Sequence, residues 1–171
     1  MEAVSTNLAL IRVPSARGKK LVDDADAVYE LVSDSPPDAR LELGDGWLAL
    51  HVLLTAEMPM PRHAALERGV EWDDASLENA LMGGEATPYE DAFTVARFLT
   101  PAQVKLAAKA LAKVKVPSLP DRFDDEVEEM LPASWRDVDA AAARLTASAQ
   151  TLISWYQRAA DAGEGMLLYA E

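Results

Sequence analysis

The chain carries two histidines, His51 and His63, which are the side chains best suited to acid–base chemistry. Imidazole titrates near neutral pH, so a partly buried His51 could serve as a general base. No carboxylate lies at a local spacing that would orient its ring, and the pattern therefore favours a histidine hydrogen-bonded inside the core. His63 and Glu67 are separated by one helical turn. Two ligands are too few for a metal site, so we interpret this spacing as a surface pair and expect no metal.

Motifs for covalent or cofactor chemistry are absent from the sequence. There are no cysteines, which excludes disulfides, zinc knuckles, thiol catalysis and iron–sulfur ligation. Nucleophile elbows, Walker loops and zinc-protease helices are absent as well. Residues 44–49 formally match the dinucleotide fingerprint G-x-G-x-x-A, but Trp47 would crowd the phosphate turn and a proline-broken stretch follows instead of a second parallel strand. The sequence therefore predicts no cofactor.

Two further groups of residues could bind ions, but each is also typical of an ordinary structural element. The pair Gly83-Gly84 could hold an anion, whereas Gly83 in the left-handed conformation would end a short helix from Ser76 to Met82. A run of carboxylates lies between Asp124 and Glu129. A calcium loop would need convergent ligands and a turn glycine, and this run has neither. We expect a helix end at the glycines and a solvated face, on a short helix, at the acids.

The formal net charge of the chain is −13, from 29 Asp and Glu against 16 Lys and Arg. Such a surface repels phosphate backbones and anionic membranes, so we expect no nucleic-acid or membrane partner. The simpler interpretation of this charge is high solubility. The more specific interpretation is a surface that docks a basic protein partner. No stretch approaches the ~20 apolar residues of a membrane span, and Arg12 interrupts the apolar stretch from Leu8 to Val13. These features favour a cytoplasmic protein.

The residue pattern predicts an α+β fold, in which a small antiparallel or mixed sheet packs against several helices in a single domain over residues 1–171. Three segments have the short apolar pattern of strands, namely residues 6–13, 92–99 and 165–170. The middle segment is apolar on both faces, so we expect it to lie inside the sheet.

Helical spacing of apolar residues predicts an amphipathic helix from about Ala16 to Ser33. Residues 100–103, Thr-Pro-Ala-Gln, form a capping box with proline at the first helical position, and begin a helix that runs to about Lys115. The longest helix is predicted from Val138 to about Ala162, with a heptad-like apolar stripe. Half of the stripe is alanine, which favours packing on the chain's own core. Pairing between chains remains open, and we expect a monomer or a weak homo-oligomer.

Residues 40–55 are ambiguous between two structures. Leu41-Glu42-Leu43 alternates like a strand, and residues 44–46 could form a hairpin turn with a return strand from Trp47 to Thr55. Alternatively, Asp45 caps a helix that is apolar on nearly every side and therefore buried. In that helix His51 lies one turn after Trp47, on the same face. Pattern alone does not decide between them, because short apolar runs look alike in both states.

Five segments of the chain, taken in order, resemble the YfbM-like family, known as domain of unknown function 1877. In the longest of them, Asp45–Thr55, Trp47 and His51 match the family's W-x-x-[IL]-H-x-L-L-T pattern. The others are the glycine-pair segment Leu81–Glu85, the strand-to-helix junction Ala96–Val104, Trp155-Tyr156 before Ala159-Ala160, and the closing Gly165–Tyr169. The resemblance depends on their order and spacing rather than on one motif. Residues 61–74 and the N-terminus depart from it.

The resemblance implies an α+β fold and a helix over residues 46–55, which we expect to be the most buried. It implies no activity, because the family is functionally uncharacterised. Bacterial members near toxin genes suggest an immunity-like role by analogy. Our first functional hypothesis is therefore a non-catalytic module that binds a basic protein. The alternative is a small hydrolase or ligand-binding protein with a pocket around Trp47, His51 and Tyr156, adjoined by Gly83 and Gly84.

Overall fold

A five-stranded antiparallel sheet organises the fold, in a computed structural model that describes residues 7–71, 73–90 and 95–171. The strands are β1 (Leu8–Val13), β2 (Arg40–Glu42), β3 (Glu85–Glu90), β4 (Val95–Leu99) and β5 (Gly165–Ala170). They lie in the order β2-β1-β5-β4-β3, and every neighbouring pair is antiparallel. The first and last strands in sequence, β1 and β5, are therefore neighbours in the middle of the sheet.

The predicted α+β class is confirmed, and the sheet is antiparallel rather than mixed. β1, β4 and β5 correspond to the three predicted strands, although Thr6 and residues 92–94 lie outside the described residues. β4 lies inside the sheet, as its two apolar faces predicted. β3 is an additional strand that the residue pattern does not predict, because it contains Pro88 and exposed glutamates. It lies at the sheet edge, where a proline can avoid removing a ladder hydrogen bond.

Helices cover both faces of the sheet. In the described residues they are α1 (Ser15–Gly18), α2 (Ala25–Asp34), α3 (Trp47–Thr55), α4 (Arg62–Glu67), α5 (Asn79–Met82), α6 (Pro101–Ala112), α7 (Asp125–Glu129) and α8 (Val138–Asp161). Two 3₁₀ segments, Pro37–Ala39 and Val116–Arg122, lie between them. The short helix predicted from Ser76 to Met82 is present as α5 but begins at Asn79, and the short helix expected within the acidic run is α7.

Alternation along the strands divides the apolar core into two layers, because successive side chains of a strand point to opposite faces. Leu8 and Leu10 of β1 pack in one layer with α3, α6 and α8. Ile11 and Val13 of the same strand pack in the other layer with α2. The first layer is the larger one, and it contains most of the predicted site residues.

The helix predicted from Ala16 to Ser33 is wrong as a single element. The structure has α1 and α2 instead, separated by a turn over residues 19–24. The side chain of Asp24 accepts hydrogen bonds from the backbone N–H groups of Asp26 and Ala27, and so begins a new helix. An aspartate that fits the polar face of one long helix serves equally well as an N-cap, and the apolar spacing does not distinguish the two uses.

The ambiguity over residues 40–55 is resolved in favour of the helix α3, preceded by the short strand β2. The predicted cap at Asp45 is wrong, because Gly46 is the N-cap residue of α3 and no side chain caps the helix. All residues of α3 except Leu48 and Thr55 are buried, which is the largest share among the described helices longer than one turn. The four-residue helix α5 is buried throughout. Gly44 has a φ of +76° and turns the chain from β2 towards α3. The hairpin alternative is therefore wrong.

The two long helices follow their sequence signals closely. The capping box at Thr100 and Gln103 is present, although α6 ends at Ala112 rather than near Lys115. α8 ends at Asp161, and its apolar stripe is buried from Leu145 onwards. Val138, the first residue of that stripe, is 39% exposed. From Leu145 onwards the stripe packs against this chain's own core.

Candidate functional site

The side chains of the predicted pocket lie in the interior of the larger layer. Trp47 and His51 project from α3 and are 8% and 2% exposed. Tyr156 projects from α8 and is fully buried, and its hydroxyl donates a hydrogen bond of 2.6 Å to the carbonyl of Ala80. This buried environment raises the pKa of Tyr156. The indole at position 47 is thus part of the core, as the predicted architecture required.

Arg97 is the residue at this centre that sequence reasoning missed. It lies on β4 two residues before the buried Leu99, and its side chain is on the same face of the sheet. Its guanidinium donates hydrogen bonds to the carbonyls of Gly83, at 2.6 Å, and Leu81, at 2.8 Å. No carboxylate of the described residues forms an ion pair with it, and burial lowers the pKa of Arg97 to about 10. An arginine within an otherwise apolar strand was the available signal.

Arg97 and Tyr156 together satisfy the carbonyl end of α5. The last carbonyls of a helix have no partner within the helix and must find donors elsewhere when they are buried. Here the two side chains supply those donors to Ala80, Leu81 and the following Gly83. The centre therefore joins α5, β4 and α8 in one hydrogen-bonded unit.

The glycine pair is needed for close packing at this junction. A Cβ atom on Gly83 would lie 2.6 Å from the carbonyl oxygen of Asn79. Gly84 has a φ of +95°, and a Cβ atom there would lie 3.2 Å from the Cβ atom of Arg97. The predicted left-handed conformation at Gly83 is wrong, because Gly83 has a φ of −78° and Gly84 adopts the positive φ instead. The pair ends α5 and brings the chain against β4.

His51 is neutral at physiological pH in this environment. Burial, and secondarily the positive charge of Arg97, lower the pKa of His51 to about 4. A general base is most effective when its pKa is close to the working pH, so this environment does not favour acid–base catalysis at neutral pH. The grooves whose lining residues the structure describes lie elsewhere on the molecule. Ligand binding by Trp47, His51, Tyr156 and the glycine pair stays an untested prediction.

His63 lies on α4 together with Glu67, one helical turn apart as the sequence indicated. Burial is the main cause that lowers the pKa of His63, followed by the charge of Arg97, while Glu67 opposes both. The Nδ1 atom of His63 is buried and has no hydrogen-bond partner among the described residues. Within that same part of the chain, no three His, Asp or Glu side chains are placed to hold a metal ion.

A groove with acidic sides lies on the surface between α3 and α7. It has a volume of about 440 Å³ and is lined by residues 52–55 of α3, the following Ala56, and Arg122, Asp124 and Glu126. The guanidinium of Arg122 makes a long contact of 3.5 Å to the carbonyl of Leu54, near the C-terminal end of α3. A helix C-terminus carries partial negative charge, so this end attracts a cation.

The carboxylates beside the groove are exposed and form what we call the acidic surface, which comprises Asp121, Asp124, Asp125, Glu126, Glu128 and Glu129. Asp124 caps α7 by accepting a hydrogen bond from the backbone N–H of Val127. None of the six forms an ion pair with another residue in the ranges 7–71, 73–90 and 95–171. The predicted solvated acidic face is therefore present, and within the described part of the chain its carboxylates are not neutralised by ion pairs.

Comparison with known proteins agrees with this architecture. A crystal structure of YfbM from Escherichia coli, a protein of unknown function, superimposes with a TM-score of 0.66 over 95% of this chain and 98% of that one. The two sequences are 18% identical, so this likeness concerns the fold alone. No curated protein matches the chain.

None of the helices in the described residues has both the length and the apolarity needed to cross a membrane. The sequence model of one family, described as a domain of unknown function (DUF1877), matches residues 4–169, which is nearly the whole chain. The resemblance seen in the sequence is thereby confirmed, and the chain belongs to the DUF1877 family.

Proposed function

We propose that this protein is a non-catalytic binding module that holds a basic protein partner on the acidic surface and the adjoining groove. The observation that carries the proposal is the set of six exposed carboxylates between Asp121 and Glu129, unpaired among the described residues, beside a groove of about 440 Å³. Unpaired surface charge of one sign attracts a partner of the opposite sign and accelerates association.

The groove offers a lysine or arginine side chain of the partner two kinds of contact. The carboxylates of Asp124 and Glu126 and the C-terminal end of α3 attract the charged group. The apolar stem of the same side chain can lie against residues of α3 that line the groove.

The buried centre supports a binding role rather than a catalytic one. His51 is 2% exposed and has a pKa lowered to about 4 by burial, and Tyr156 is fully buried. Both side chains are suited to holding the core together. By analogy within the family, we further expect an immunity-like role in a bacterial cytoplasm, with the basic partner being the protein that is neutralised.

The test is an affinity capture that compares two variants with equal changes in charge. In the first, four carboxylates of α7 are neutralised, namely Asp125→Asn, Glu126→Gln, Glu128→Gln and Glu129→Gln. In the matched control, four exposed carboxylates near α2 are neutralised, namely Asp23→Asn, Asp26→Asn, Glu30→Gln and Asp34→Asn. The capping residues Asp24 and Asp124 are kept, and circular dichroism checks that both variants fold.

We expect the wild type and the α2 control to retain the same basic protein at low salt, and the α7 variant to lose it. The retained protein should also be released as salt is raised, because screening weakens attraction between exposed charges. A capture that yields only chaperones, or a basic protein held equally by all three forms, would show that the acidic surface is not the binding site.

A further inference from the structure

The indole of Trp155 lies between two arginines near the end of α8. The central guanidinium carbon of Arg12 is 5.0 Å from the ring centroid, and that of Arg158 is 5.7 Å away. Trp155 is 7% exposed, and its Nε1 atom is buried without a hydrogen-bond partner among the described residues. The Nε atom of Arg12 is buried and unpartnered in the same sense.

The indole N–H of Trp155 and the Nε–H of Arg12 are two buried donors without an acceptor among the described residues. More than nine in ten buried polar groups of folded proteins are hydrogen-bonded, because leaving one unpaired costs its full desolvation. The acceptor suited to an indole N–H and a guanidinium N–H together is an oxygen atom that carries negative charge.

A second tryptophan in the chain shows the same arrangement with its acceptor supplied. The guanidinium carbon of Arg144 lies 3.6 Å from the ring centroid of Trp135. The Nε1 atom of Trp135 donates a hydrogen bond of 3.2 Å to a carboxylate oxygen of Asp45. At Trp155 no carboxylate of the described residues takes the corresponding position, although two arginines flank the ring.

The charges around Trp155 also favour an anion. Arg12 donates to the backbone carbonyl of Asp38 at 2.9 Å and pairs with Glu164 at 3.3 Å. Arg158 is exposed and forms no ion pair within the described residues. Two guanidinium groups thus lie beside the ring, and one carboxylate pairs with Arg12, in a chain whose net charge is −13. Among Trp155, Arg12 and Arg158, Arg158 is the residue that is exposed to solvent.

We propose that Trp155, Arg12 and Arg158 form a binding site for a small oxyanion, a carboxylate or a phosphate. The anion accepts hydrogen bonds from the indole N–H of Trp155 and the Nε–H of Arg12, and it pairs with the guanidinium of Arg158. Binding requires Glu164 to share Arg12 with the incoming anion, which their long ion pair of 3.3 Å permits. This site is independent of the acidic surface and of the proposed protein partner.

The test is a titration of the full chain followed by the tryptophan indole resonances in ¹H–¹⁵N NMR spectra. The chain has four tryptophans, and the Trp155→Phe variant assigns one resonance to Trp155. Sodium phosphate and sodium acetate are added in separate titrations, with ionic strength held constant by sodium chloride. The phosphate and acetate arms distinguish a phosphoryl ligand from a carboxylate ligand.

We expect the Trp155 indole resonance to shift and to saturate in the millimolar range with one of the two anions, while that of Trp135 stays in place. Arg158→Gln should weaken the affinity about tenfold, since a charge-assisted contact is lost. Arg144→Gln, which removes the matching arginine at Trp135, should leave the affinity unchanged. A shift that fails to saturate with either anion, or an affinity that Arg158→Gln and Arg144→Gln change equally, would overturn the proposal.

Discussion

Acidification should destabilise the folded chain through His51. Burial, and then the charge of Arg97, lower the pKa of this imidazole from its ordinary value of 6.5 to about 4. The unfolded chain, in which His51 has its ordinary pKa, therefore binds the proton more tightly than the folded chain does. The stabilisation that comes from a neutral His51 is fully present above pH 6.5 and is lost as the pH falls towards 4.

The size of this effect follows from the difference between the two pKa values. A difference between 6.5 and about 4 corresponds to about 3 kcal/mol once His51 is protonated in both states. Between pH 7 and pH 5, the same linkage relation gives a loss of about 2 kcal/mol in the free energy of unfolding. His63 contributes in the same direction, because burial lowers its pKa too, so a variant is needed to isolate His51.

Urea unfolding followed by circular dichroism at pH 7, 6 and 5 measures the loss directly. The wild type should lose about 2 kcal/mol over this range through His51. His51→Gln should abolish most of the pH dependence, whatever its effect on stability at pH 7. His63→Gln, the matched control, should retain most of it. The ring resonances of His51 in the wild type give an independent value of its pKa by NMR.

The reasoning would be refuted in either of two ways. The free energy of unfolding of His51→Gln could fall with pH as steeply as that of the wild type. Alternatively, the His51 ring could titrate near its ordinary pKa of 6.5, which would mean that the imidazole is not desolvated in solution.

Three substitutions test the packing of the buried centre. Arg97→Met should lower the free energy of unfolding by about 3 kcal/mol, because two buried carbonyls lose their donors; an unchanged denaturation midpoint would show that the pair of hydrogen bonds is dispensable. Tyr156→Phe removes the hydroxyl that donates to Ala80 and should cost about 1–2 kcal/mol in the same measurement, and a cost near zero would contradict this assignment. Gly84→Ala combines a φ of +95° with a contact of 3.2 Å to the Cβ atom of Arg97, and should cost more than Gly69→Ala, where φ is +76° and the space is open. Equal losses in the melting temperatures of the two alanine variants would mean that packing against β4 adds nothing to the backbone strain.

The acidic surface and the Trp155 cluster illustrate different limits of sequence reasoning. The carboxylates between Asp121 and Glu129 are recognisable in the sequence, and their solvation is expected from their number alone. That they adjoin a groove at the end of α3 depends on packing between segments about 70 residues apart. The unpartnered indole of Trp155 has no sequence signal, because whether a donor finds an acceptor is decided by the residues that surround it in the fold.

The sequence by itself determined the elements whose signals are local. The capping box at Thr100 begins α6, the long apolar stripe makes α8, and the short apolar runs make β1 and β5. The signal for each of these elements is complete within one segment, although β1 and β5 also pair with each other in the sheet.

Tertiary structure alone decided the elements and roles that depend on partners in other elements of the fold. β3 is a strand because it pairs with β4, although its own residues include a proline and exposed glutamates. Arg97 is tolerated in the interior because α5 ends beside it and offers two carbonyls. His51 becomes a neutral core residue because α3 is covered on nearly every side. In each case the deciding energy is hydrogen bonding or desolvation between different elements of the fold, which no spacing within one element records.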